Sequence, residues 1–252
     1  VGVREVNLDG LANDQRNWFN DTMVFTHGYG VVAAYENTSA SDGEPDFAES
    51  NIPPSGNLNI EQPRVYFGEQ SPEYSIVGSD GSTGPLELDY PDDKSANGQT
   101  NNTYSGLGGV PVGNILQRTI FALDYQDPNI LLSNQIGTKS KILYDRDPMT
   151  RVSKVAPWLT LDGDPYPSII DGKVQWIIDG YTTSNNYPYA ARISLRDATA
   201  DSVNSQFNAS PLSAGNITYI RNAVKATVDA YDGTVTIYAW DEADPILQTW
   251  SK

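Results

Sequence analysis

Three sets of residues in this chain are of types that do chemistry. The first is a single histidine, His27, in Thr26-His27-Gly28-Tyr29-Gly30. Histidine titrates nearest neutral pH of all side chains, so His27 is the general-base candidate and a binding candidate. No second histidine is present to build a zinc site. No Gly-x-Ser-x-Gly elbow is present either, which sets a Ser-His-Asp triad aside. The competing reading is an imidazole whose ring nitrogens are hydrogen-bonded beneath a loop.

The second set is acidic. Asp162, Asp164, Asp171 and Asp179 surround one stretch; Asp229, Asp232, Asp241 and Asp244 surround another. Calcium takes about six to eight oxygens from such carboxylates and from carbonyls. Asp162-Gly163-Asp164 has the local look of a calcium loop, although no glutamate closes a twelve-residue pattern. Asp162 and Asp164 are therefore the metal candidates, and calcium is the one cofactor suggested. Against it stands the ordinary use of aspartate to bond backbone amides in turns.

The third set joins carboxylates to aromatics, as in glycoside hydrolysis, where two carboxylates stand about 5–10 Å apart. Glu69, Asp162, Asp179 and Asp229 are available, with Trp158, Trp176, Tyr166, Tyr181 and Tyr187 as a sugar platform. No spacing singles out a pair, and strand aromatics commonly fill cores. Tyr166, Tyr181 and Asp179 join His27 as binding candidates.

Composition narrows the partners. Lys+Arg 16 against Asp+Glu 32 gives a formal charge of −16, which repels nucleic-acid phosphates and anionic headgroups. Cysteine is absent, which removes disulfides, thiolate catalysis and cysteine metal sites together. No apolar run approaches the roughly 18 residues that span a bilayer. The chain opens at Val1 without a visible signal peptide and reads as a piece of something longer.

The elements that must position these residues are mostly strands. Gly 21, Pro 16 and Tyr 15 favour turns and aromatic strands over a helical bundle. Two hairpins are predicted, one across Asp171-Gly172-Lys173 and one joining 226–231 to 234–239 across Asp232-Gly233. Trp176, Ile178, Val228 and Ile237 should be their buried face. Residues 1–6 read as an edge strand. A helix is predicted from about 111 to 124, with Ile115, Leu116, Thr119, Ile120 and Leu123 recurring on one face. Asp127-Pro128, Asp147-Pro148 and Asp244-Pro245 each open a short helix. Residues 37–59, 91–105 and 197–215 read as polar loops. The predicted fold is α+β and strand-dominated, an antiparallel or mixed sheet with short helices on one side. It is taken as one domain over 1–252, with 91–105 the place for a subdomain boundary.

Five blocks, residues 26–32, 62–69, 156–167, 176–183 and 224–235, together resemble the bacterial group filed as uncharacterised protein family 182. These are large multi-pass membrane proteins, mostly of actinobacteria. The resemblance runs from about Arg4 to Trp250. It implies transmembrane helices ahead of this region and a place on the extracytoplasmic face of a bacterial plasma membrane. No established activity comes with it, so it supplies no catalytic residues. The expected function is a non-catalytic extracytoplasmic domain that binds or assembles with an envelope partner, protein or glycan. The alternative is a hydrolase that cuts an envelope carbohydrate with paired carboxylates.

Overall fold

The computed structural model describes residues 1–81, 84–195 and 215–252. All but the last residue of the loop expected at 197–215 thus lies outside the described residues. The chain forms two compact units. Unit 1 comprises Val1–Asp147 with Ile169–Val174 and Ala230–Gly233; unit 2 comprises Pro148–Ser168, Gln175–Asp229 and Thr234–Lys252. The stretch 91–105 lies inside unit 1. The fold is α+β, with antiparallel strand ladders and few, short helices.

In unit 1, β1 (Val31–Ser39) pairs antiparallel with β2 (Pro45–Ser50), and Gly2–Val3 forms the edge beside β1. This corrects the loop expected at 37–59. Both strands are largely exposed, so backbone bonds make the ladder and no apolar alternation announces it. Strand β3 (Tyr74–Val77) lies in a second sheet. Strands β4 (Glu87–Pro91) and β5 (Gln99–Asn102) form a hairpin with a bulge between Leu88 and Tyr90. The loop expected at 91–105 is thus the turn and return strand of that hairpin, its turn held by Asp92 accepting from the Lys94 amide at 2.9 Å.

Helix α1 (Ile115–Asp124) begins later than predicted, where Asn114 Oδ1 accepts from the Gln117 amide at 2.9 Å. The recurring aliphatic face is not the side that packs inward. Phe121, Ala122 and Tyr125 pack on the core, while Leu116, Ile120 and Leu123 face out. Periodicity reveals a two-sided helix but not which side is inside. Helix α2 (Asn129–Leu132) follows, and β6 (Lys141–Tyr144) pairs with β3. The core of unit 1 has two parts: Met23, Ile76, Val112, Ile130, Ile136 and Ile142; and Tyr66, Phe67, Val77, Tyr104 and Leu143.

In unit 2, α3 (Pro148–Val155) precedes a sheet built around β7 (Tyr166–Ile170), β8 (Lys173–Ser184), β9 (Tyr219–Asp229) and β10 (Val235–Ala239), the turn-side residues of β7 and β8 within Ile169–Val174 being counted with unit 1. Helix α3 packs on β9 and β10. The Asp232-Gly233 hairpin forms as predicted, with Ala226 opposite Ile237 and Val228 opposite Val235. Even-numbered residues of β8 from Val174 to Thr182 are buried, Trp176 and Ile178 among them, and Val228 is buried on β9. Ile237 is 37% exposed, because β10 is the edge of the sheet. Helix α4 (Pro245–Trp250) is capped by buried Asp244, whose Oδ1 accepts from the Leu247 amide at 2.6 Å. Its Oδ2 accepts from Thr182 Oγ1 at 3.0 Å and from Tyr219 Oη. Burial opposes the Asp244 charge, but these donors hold its carboxyl below the ordinary range.

Candidate functional site

His27 sits where two short segments cross. Gly28-Tyr29 pairs antiparallel with Arg64-Val65. A Cβ at Gly28 would stand 1.9 Å from the Arg4 carbonyl oxygen, so only glycine permits this approach. The pairing sets Arg64 beside Tyr29, and β4 brings Asp89 to both. His27 Nε2 lies 2.9 Å from Asp89 Oδ1. An ionised carboxylate only accepts, so Nε2 carries the proton. Arg64 forks onto the same carboxylate, Nε to Oδ1 at 2.8 Å and Nη2 to Oδ2 at 2.7 Å. On the other side of the ring, Thr26 Oγ1 lies 2.9 Å from His27 Nδ1. The sequence Thr26–His27–Asp89 is thus a hydroxyl, an imidazole and a carboxylate in line.

A second carboxylate lies beside it. Glu87 accepts from the Gly78 amide at 2.8 Å, the Tyr104 amide at 2.9 Å and Tyr66 Oη. Tyr66 stacks on His27 with ring centroids 4.4 Å apart. Beneath both, Arg146 donates to the Tyr66 carbonyl at 2.7 Å, to Ser75 Oγ at 2.6 Å and to the Thr26 carbonyl at close range. Burial pulls the Arg146 guanidinium down to about 10, and it stays charged at neutral pH. Burial and the Glu87 charge push the Tyr66 phenol well up, which keeps it a donor. Burial opposes the charge of Asp89, yet the His27 and Arg64 donors hold its carboxyl below the ordinary range.

Access decides what this arrangement can do. The His27 side chain is 0% exposed and that of Asp89 1%. Thr26, Tyr66, Glu87 and Arg146 are equally closed. A groove of about 380 Å³ does open in unit 1, between Trp18, Phe19, Leu132 and Gln135, but no titratable side chain lines it. The network is a set of paired charges and satisfied hydrogen bonds, closed at His27 and open to water only at Arg64, whose side chain is 24% exposed. Its effect is to lock the 26–30 crossing, β4 and the 64–67 segment to one another.

Thr26, Arg64, Tyr66, Glu87, Asp89 and Arg146 were not singled out from the sequence. The available signal was Leu86-Glu87-Leu88-Asp89-Tyr90, an alternation with two equal readings. The strand turns its carboxylates inward and leaves Leu88 and Tyr90 half-buried.

The remaining candidates lie in unit 2. Odd-numbered residues of β8 face outward, Asp179 and Tyr181 included. Asp179 stands opposite Lys225, and Lys225 opposite Tyr238. Lys225 Nζ and Asn222 Nδ2 both donate to Asp179. That hydrogen bond raises the Lys225 ammonium, with Tyr166 within reach of the same group. The ammonium also lies 5.1 Å from the centroid of exposed Trp240. Tyr166 and Asp179 therefore meet around Lys225. Tyr181 is held elsewhere, donating to Asp162 Oδ2 at 3.0 Å. Burial and this carboxylate push its phenol up to about 12.

Asp162 and Asp164 form a turn. Asp162 Oδ1 accepts from the Asp164 amide at 3.3 Å, and its other oxygen is taken by Tyr181. Among the described residues, no three His, Asp or Glu side chains converge as a cation site would require. The hydrolytic carboxylates are likewise dispersed among separate donors: Asp162 to Tyr181, Asp179 to Lys225, and Asp229 to Gln175 at 3.1 Å.

Comparison with known proteins gives the family. The model of the uncharacterised protein family UPF0182 matches residues 1–252. A UPF0182 protein of Kineococcus radiotolerans is 54% identical over all of this chain, which covers 24% of that protein. Those of Leifsonia xyli and Bifidobacterium adolescentis are 53% and 50% identical, again over the whole chain, with 25% and 23% of their own lengths covered. The chain thus spans about a quarter of the length of these curated relatives. No solved structure matches. Matched along its whole length, and carrying the blocks at 26–32 and 62–69 that build the sealed network, the chain belongs to the uncharacterised protein family UPF0182.

Proposed function

We propose that this chain is a non-catalytic assembly module of a multi-pass membrane protein, displayed on its extracytoplasmic face to hold an envelope partner. The observation that carries the non-catalytic part is the closure of the Thr26–His27–Asp89 line, with the imidazole 0% exposed. A general base must come within hydrogen-bond reach of the proton it takes. A closed ring of satisfied donors instead suits a rigid platform for contact. Membrane attachment and extracytoplasmic placement are proposals that rest on the resemblance to multi-pass proteins.

The test exposes the folded chain to purified bacterial envelope polysaccharide and measures new reducing ends. The expected result is release equal to a protein-free blank. In parallel, the chain is expected to pellet with envelope fragments and to lose that association when the fragments are treated with protease. Release of sugar that Asp162→Asn or Asp179→Asn abolishes would establish the hydrolytic reading instead.

A further inference from the structure

The outward face of α1 has no occupant among the described residues. Leu116, Ile120 and Leu123 recur at i, i+4 and i+7 and are 69%, 57% and 74% exposed. Ile115, beside them at the start of the helix, is 67% exposed. Single exposed leucines are ordinary, but a contiguous aliphatic stripe on one face marks a contact surface. The helix is seated without it. Phe121, Ala122 and Tyr125 pack inward, and Arg118 forks onto the carbonyls of Val112 at 3.1 Å and Ser133 at 3.2 Å.

We infer that this face is covered by an apolar helical stripe from the rest of the same polypeptide. Three observations select that occupant. Relatives matched over the whole of this chain carry about three quarters of their length outside the matched region. The spacing presents the ridge that a second helix packs against. Finally, the exposed face holds no basic residue, because Arg118 is the only one in the helix and it points inward. A lipid-surface helix would carry Lys or Arg beside its apolar face; here the aliphatic stripe is bordered instead by acidic Asp124, and such a stripe suits a permanent interface. The inference goes beyond the assembly reading, since it concerns how the module is seated in its own polypeptide rather than what it holds.

The chain has no cysteine, so one introduced thiol reports one position. Leu123→Cys is placed in the isolated chain and in the complete UPF0182 polypeptide, with any other cysteines there replaced. Asn97→Cys, in an exposed turn, is the reference. Maleimide labelling at 123 should match the reference in the isolated chain. It should be at least tenfold slower in the complete polypeptide, in detergent and in vesicles alike. Equal rates in both proteins would overturn the inference. Protection that grows with concentration of the isolated chain would replace it with self-association, and protection confined to vesicles would replace it with lipid. None of these outcomes bears on sugar release, so the non-catalytic reading stands or falls separately.

Discussion

Replacing Arg146 by Met is expected to lower the stability of unit 1 by about 3–5 kcal/mol, the cost of breaking a buried charge cluster by removing one partner. Arg146 is 1% exposed and sits at the base of the network. Methionine fills much of its stem volume, so the loss isolates the guanidinium. Three acceptors are stranded at once: the carbonyls of Tyr66 and Thr26, and Ser75 Oγ. Each stranded buried acceptor costs its own desolvation. The positive charge that offsets Glu5 and Glu87 also disappears. Arg146→Lys should recover only part of the loss, since one ammonium cannot reproduce the fork. Urea unfolding followed by near-ultraviolet circular dichroism reads this through the tyrosines packed around Tyr66. A midpoint within experimental error of the wild type would refute the role given to Arg146.

The second large effect belongs to Asp89. Asp89→Asn keeps the shape but presents an amide to Arg64 and an uncharged group to His27. The expected loss is about 2–3 kcal/mol at neutral pH, less than for Arg146 because Arg64 is partly open to water. The pH dependence identifies the cause. The Asp89 carboxyl titrates lower in the folded protein than in the unfolded chain. A depressed carboxyl contributes stability that is fully present above its unfolded value, about 3.9, and is lost as pH falls through its folded value. The gap between wild type and Asp89→Asn should therefore be widest near neutrality and shrink on acidification below about pH 4. A gap that stays constant with pH would show that Asp89 contributes shape and not charge.

Much of the scaffold was legible because local chemistry and global fold agree there. Asp232-Gly233 supplies the positive φ of a tight turn, Gly233 at 72°, between two alternating strands, and the hairpin follows. Asp244-Pro245 pairs a capping carboxylate with a proline in the first turn, and a helix begins there. What stayed hidden shares one physical cause: a period gives two faces and does not say which is buried. In Glu87-Leu88-Asp89 the carboxylates turn inward because Arg64, Arg146 and Tyr66, remote in sequence, supply their partners. In α1 the aliphatic face turns outward because Phe121 and Tyr125 already fill the core side. The strands that run through 37–59 and 91–105 are hidden in the sequence because polar strands held by backbone bonds leave no apolar signature. His27 illustrates the limit best. Its type and its glycine-rich setting mark it out, but only the fold shows that both ring nitrogens are occupied and closed off.

That closure is the central claim, and one reagent tests it directly. His27 is the only histidine, so imidazole carbethoxylation by diethyl pyrocarbonate, read by ultraviolet difference, reports this residue alone. The account predicts no modified imidazole while the protein is folded and one per chain after unfolding in urea. Modification of the folded protein at the rate of free histidine would contradict it, because a small electrophile would then reach the imidazole and a substrate proton could as well.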